Sequence, residues 1–205
     1  MVAHFLAVAL PVAVCIVACT QFSFFSWHPI CMIVAYGFLM TEALMIFSPG
    51  SSLIASAKRP TKVNYHGYML FCALLTAVGG FAVIYTNKNA AGYSHFRTWH
   101  GFLGAITVAY SVVQVSAGIA LKYGSTLIKY MPKGFTLSKW KLFHGLSGSV
   151  LFILACVSIG LGLSSSWFVS NVNDYVWGAC TIAAVLLGFI GVNHINEMLK
   201  AKRVI

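Results

Sequence analysis

Residues 142–163 read LFHGLSGSVLFILACVSIGLGL, and no Lys, Arg, Asp or Glu falls among them. As a helix rising about 1.5 Å per residue, such a stretch crosses the roughly 30 Å of hydrocarbon in a bilayer. Lys139 and Lys141 stand just before it, and His144 sits within its first turn. Windows of about 20 residues find more stretches of the same kind on either side. They predict helices over Phe5–Phe22, His28–Phe47, Tyr65–Tyr85, Phe96–Ala120 and Tyr175–Ile195, in addition to Leu142–Leu163. Turn-forming residues separate them: Ser48-Pro49-Gly50-Ser51-Ser52, Asn87 through Ser94, Met131-Pro132-Lys133-Gly134, and Ser164 through Asp174.

Composition agrees with this reading. Of the 205 residues, 60% are hydrophobic and 8% charged, against about 25% charged in soluble domains. A chain so poor in charge cannot cover a globular surface with polar groups. The expected fold is an all-α membrane protein, a six-transmembrane-helix bundle forming one domain over residues 1–205. The first span lacks the basic leader of a signal peptide, since only His4 precedes its run, and is expected to stay as a helix. Cys15, Cys19, Cys31, Cys72, Cys156 and Cys180 all fall in apolar runs without a C-x-x-C pair, which argues for packing rather than disulfide or zinc chemistry.

The formal charge of +10 would suggest nucleic acid in a soluble protein. Here the basic residues lie in short loops between apolar runs, so no nucleic-acid partner is expected. Lys58, Arg59 and Lys62 follow span two. Lys122, Lys129, Lys133, Lys139 and Lys141 follow span four, and Lys200, Lys202 and Arg203 follow span six. The other side has Lys88 and Arg97 alone. This asymmetry predicts that both termini are cytoplasmic.

Histidine inside a span is costly and usually functional. His28, His66, His100 and His144 each fall within about one turn of the start of spans two to five. Because successive spans alternate in direction, His28 and His100 share the non-cytoplasmic level, and His66 and His144 the cytoplasmic one. Two imidazoles per level are too few for a closed zinc site, which takes four protein ligands. They suit haem, which brings four equatorial nitrogens and needs only axial ligands. Aromatic-His-Gly-x-x-Gly recurs in Trp99-His100-Gly101-Phe102-Leu103-Gly104 and Phe143-His144-Gly145-Leu146-Ser147-Gly148, and Gly67 follows His66. Glycines so placed allow helices to approach closely. The arrangement predicts two haem b groups with irons about 20–25 Å apart. His4, His95 and His194 lack such pairing and read as surface or boundary residues. Glu42, the one acid well inside a span, reads as a helix-end acid or the partner of a loop lysine ahead of a proton-handling or haem-propionate neighbour.

These residues resemble the cytochrome b561 family, in which each of four central spans carries one histidine. Phe25-Ser26-Trp27-His28-Pro29, Met40-Thr41-Glu42-Ala43-Leu44, Phe47-Ser48-Pro49 and Lys139-Trp140-Lys141-Leu142-Phe143-His144 are similar to its short members, and the likeness covers nearly the whole chain. The resemblance implies an enzyme, a transmembrane oxidoreductase passing electrons from cytosolic ascorbate to monodehydroascorbate radical or ferric iron. It implies haem iron ligation by His28 with His100 and by His66 with His144, and a homodimer. It also implies an ascorbate site among basic residues before the cytoplasmic histidines, here Arg59, Lys62, Lys139 and Lys141. The spacing before His144 departs from that of well-known members, and ordinary positive-inside charge explains these residues equally well. The family's short members suggest endoplasmic reticulum or vesicle membranes, and Lys202-Arg203-Val204-Ile205 is similar to a dibasic retrieval tail. Two other functions fit the same ligands: a haem sensor or carrier without turnover, and a cytochrome subunit fed by quinol or a partner dehydrogenase. No nucleotide- or flavin-binding motif occurs, so a nicotinamide donor would need a partner.

Overall fold

The computed structural model describes residues 1–48 and 50–203. Pro49 of the predicted turn and the Val204-Ile205 end of the tail lie outside the described residues. Among the described residues, six helices are long and apolar enough to cross a membrane: α1 (Val2–Thr20), α2 (Phe24–Met45), α3 (Arg59–Ala90), α4 (Trp99–Lys122), α5 (Leu137–Leu163) and α6, whose crossing part is Asp174–Glu197 within a helix running to Arg203. They pack as one all-α bundle. Helices α2 to α5 form its centre, while α1 packs on α2 and α6 on α5.

Apolar residues cover the outer face of the bundle as well as its core. In α1, Phe5, Val8, Val12 and Ile16 form a stripe at helical spacing and are all exposed. Its opposite face, Ala7, Leu10, Pro11, Val14 and Val17, is buried. An apolar stripe facing outward is what lipid contact requires, and in water it would be an aggregation surface.

Helix boundaries differ from the sequence-based expectation where polar residues extend a helix beyond the hydrocarbon. Helix α3 begins at Arg59 and α5 at Leu137, so His66 and His144 are each the eighth residue of their helix rather than within its first turn. Pro60 and the Thr136 N-cap explain the early starts: Pro60 occupies the first turn of α3, where it donates no needed bond, and the Thr136 hydroxyl accepts from Lys139 N at 3.2 Å. Helix α4 starts later than Phe96. Thr98 caps it through Gly101 N at 3.1 Å, and Phe96 sits in the left-handed region at φ 57°. The predicted loops also contain short helical turns at Gly124–Leu127 and Ser166–Val169.

Helix α2 is irregular. A 3-10 turn (Phe24–Ser26) leads into α-helix, then a π-helix over Ile33–Met40, then α-helix to Met45. Pro11 of α1 packs against the π segment at Gly37, where a Cβ would stand 3.4 Å from the proline ring and 3.0 Å from Ile33.

Glu42 does not take a loop lysine as partner, and His4 is not a free surface residue. His4 Nδ1 lies 2.9 and 2.8 Å from the two Glu42 carboxylate oxygens, and Nε2 lies 2.6 Å from the Ser51 carbonyl. The pair joins α1 to α2 with only 13% and 11% side-chain exposure. Glu42→Ala is expected to lower stability in detergent by about 1–3 kcal/mol, because the partner loses its acceptor in a desolvated place. Denaturant midpoints of the His4→Ala, Glu42→Ala and double variants should be non-additive, and simple additivity would show the two side chains to be uncoupled.

Candidate functional site: two imidazole pairs

The alternating helices bring the four predicted histidines together two by two. His28 of α2 faces His100 of α4, with ring centroids 6.0 Å apart and planes at 75°. His66 of α3 faces His144 of α5 at 6.5 Å and 80°. Two imidazoles gripping one iron from opposite sides, each through a bond of about 2 Å, hold their ring centroids about 6.4 Å apart. Both pairs meet that separation. Among the described residues, no group of three or more His, Cys, Asp or Glu stands close enough to hold a metal ion. The donor set is two nitrogens per level.

Which nitrogen is available follows from hydrogen bonding. His28 Nδ1 donates to the Gly80 carbonyl at 3.0 Å, His66 Nδ1 to Ala43 at 2.9 Å, and His100 Nδ1 to Ser158 at 3.0 Å. A carbonyl can only accept, so Nδ1 carries the proton in each and the Nε2 lone pair is left for a metal. His144 is held differently. The Gln114 amide nitrogen lies 3.2 Å from the His144 Nδ1 and donates to the His144 backbone carbonyl at 2.6 Å.

These anchors follow a rule that joins the helices in reciprocal couples. His28 of α2 is tied to α3, and His66 of α3 is tied back to α2. His100 of α4 is tied to α5, and His144 of α5 back to α4. In three helices the anchor for the neighbour's ring comes fourteen positions after the helix's own histidine: Gly80 after His66, Gln114 after His100, Ser158 after His144. In α2 it comes fifteen after, at Ala43. The added residue falls in the helix that contains the π segment. A π turn takes up one residue more than an α turn, which returns the Ala43 carbonyl to the face its partners use.

Glycines clear space for the rings. A Cβ on Gly162 would stand 3.0 Å from His100 Cε1, and one on Gly118 would stand 3.1 Å from His144 Cε1. Gly104 and Gly148, expected to ease helix approach, do so: their Cβ positions meet Ser158 Oγ at 3.4 Å and Gln114 Nε2 at 2.8 Å. Gly67 differs from that expectation, since nothing lies within 4 Å of its Cβ position. Beside His28 and His100 a cavity opens between the central helices. Its wall includes Met32, Phe81, Ile84 and Ala105, and Lys88 and His95 lie toward its edge. A largely apolar slot with two facing imidazoles fits a flat apolar macrocycle with an iron at its centre.

The basic residues before His66 and His144 differ in exposure and in hydrogen bonding. Arg59, Lys139 and Lys141 are exposed. Lys62 Nζ donates to the Ala55 carbonyl at 2.9 Å and Lys139 Nζ to Gly134 at 2.8 Å, so both bind their own loops. Sequence reasoning missed Gln114 and the His4–Glu42 pair. The recurrent fourteen-residue interval was the signal available for Gln114.

A bundle of membrane-crossing helices with two internal histidine pairs defines a class of multi-pass membrane protein. The family description "Eukaryotic cytochrome b561" matches residues 27–169, and the chain belongs to the cytochrome b561 family. Membership implies haem b. The chain is 36% identical over 203 residues to the transmembrane reductase CYB561D2 of Bos taurus, covering 98% of this chain and 89% of that protein. It is 30% identical over 178 residues to the probable transmembrane reductase CYB561D1 of Mus musculus, covering 87% and 76%. To the transmembrane ascorbate-dependent reductase CYB561 of Bos taurus it is 27% identical over 143 residues, covering 69% and 53%.

Proposed function

We propose that the protein is a transmembrane reductase with two haem b groups, one between His28 and His100 and one between His66 and His144. Electrons would enter from ascorbate at the cytoplasmic face and leave to monodehydroascorbate radical or ferric iron on the other. The observation that carries this reading is the pair of imidazole couples at bis-axial separation at opposite levels of one bundle. The names of the relatives, two of them reductases and one an ascorbate-dependent reductase, agree with it.

Haem supplies the one-electron chemistry. His28, His66 and His100 would hold the groups through Nε2 with rings fixed by their carbonyl anchors, and His144 would complete the second pair. Ser158, which anchors His100, lies fourteen residues along α5 from His144, so the two levels stand about 21 Å apart. Haems held at the two levels would supply one-electron steps between them. Ascorbate is an anion, and the exposed Arg59, Lys139 and Lys141, with Lys62, raise its concentration at the mouth through their field. Its oxidation also releases a proton, taken up by water or by a side chain on that face. The same reading makes residues 1–205 one functional unit with both termini cytoplasmic, in an endoplasmic reticulum or vesicle membrane.

The test is haem stoichiometry with reduction in detergent. Purified protein is expected to hold about two haems per chain and to show a bis-imidazole spectrum that ascorbate reduces rapidly. One haem per chain with no response to ascorbate would favour a sensor. Reduction by quinol or a partner alone would favour a subunit of a larger chain.

A further inference from the structure

Among the described residues that wall the cavity beside His28 and His100, Lys88 is the one Lys, Arg, Asp or Glu. It lies on α3, eight residues beyond Gly80, whose carbonyl holds His28, and so about 12 Å further along the helix. Lys88 is half-buried, and its ammonium, which has three donors, gives one to the Ser94 carbonyl at 3.2 Å. Among the described residues it makes no ion pair. His95 also lines the cavity's edge but is already engaged. Its ring stacks on Tyr85 with centroids 4.2 Å apart, and Nε2 donates to Asn89 Oδ1 at 2.7 Å. Phe96, at φ 57°, lays its ring within 10° of parallel to Phe81. These contacts hold the loop between α3 and α4 against the end of the cavity where Lys88 stands.

A cation at the rim of a slot with no other fixed charge lacks the compensation that partial desolvation demands, and an anionic group on the slot's occupant supplies it. Haem has the matching form, a flat apolar macrocycle with two carboxylates along one edge. We propose that Lys88 binds a haem carboxylate and so fixes which way round the macrocycle sits between His28 and His100, its carboxylate edge toward the loop between α3 and α4. This role rests on the two-haem reading above. An anionic electron acceptor from solution would bring the same chemistry to the ammonium, and experiment separates the two sources.

The test compares haem b with its dimethyl ester, which keeps the iron and the macrocycle but has no carboxylate charge. Full-length His66→Ala protein, in which His28 and His100 are the pair left complete, is titrated with each in detergent, and the bis-imidazole absorbance is read. His144→Ala isolates the same pair should His66→Ala fail to fold. With Lys88 in place, haem is expected to bind about tenfold more tightly than the ester, as a charge-assisted hydrogen bond implies. Adding Lys88→Met should remove that preference by weakening haem binding alone, and Lys88→Arg should keep it. Equal affinity for haem and ester with Lys88 in place would overturn the proposal. So would an equal loss for both ligands in Lys88→Met, the mark of a packing role. A preference that survives Lys88→Met would also overturn it and leave the cation to an acceptor from solution. If Lys88→Met fails to fold, Lys88→Gln decides. Each of these results leaves the two-haem reading intact, whereas a wild-type protein without bis-imidazole haem would overturn both.

Discussion

Replacing His66 by alanine is expected to halve the haem content and to stop electron transfer across the membrane. His66 stands opposite His144. Its Nδ1 also ties α3 to the Ala43 carbonyl of α2. Without the ring, the remaining side of a haem would have one ligand, and a bis-imidazole site would become five-coordinate or empty. The other couple, His28 with His100, shares no anchor with His66 and should keep most of its haem. The measurement is haem per chain, followed by ascorbate-driven reduction of an acceptor trapped in sealed vesicles. Transfer into the vesicle lumen at the wild-type rate would remove the two-step relay from consideration.

The second large effect is steric. A side chain at Gly162 would enter the space of His100, with a Cβ 3.0 Å from Cε1 and 3.3 Å from Nδ1. Cε1 is bonded to Nε2, so a push there swings the coordinating lone pair away from its line to the metal. Gly162→Val is therefore expected to weaken haem binding between His28 and His100 by about 5- to 150-fold, as overpacking of about 1–3 kcal/mol implies. Gly160 provides the control, since nothing lies within 4 Å of its Cβ position two residues earlier in the same helix. Gly160→Val has the same cost in helix propensity and should keep its haem. Equal losses in the two variants would mean that helix weakening, rather than collision with His100, is responsible.

How much of this was legible in the sequence depended on the kind of signal each feature leaves. The crossing helices were visible because a charge-free run such as 142–163 has few other places to be. Their ends were less visible, because Arg59 and Lys139 extend helices into water, where composition no longer marks the boundary. The couples His28 with His100 and His66 with His144 followed from alternation of direction alone. Their anchors did not, because a main-chain carbonyl at Gly80 or Ser158 has no side chain to announce it. Gln114 shares its fourteen-residue interval with Gly80 and Ser158, but that interval becomes a signal only once those carbonyls are known to be anchors. The contact between His4 and Glu42 required knowing that α1 lies against α2, which neither stretch encodes by itself.

The uneven winding of α2 lets one short stretch face two directions. Helical geometry turns each successive residue by about 100°, so Glu42 and Ala43 cannot address the same neighbour. With the widened turns upstream, the Glu42 carboxylate meets α1 while the very next carbonyl meets α3. Shortening that stretch by one amino acid would rotate everything after it, detaching the outer helix and releasing the His66 ring in a single step. The irregularity acts as a spacer that keeps the periphery of the bundle and its redox centre in mutual alignment.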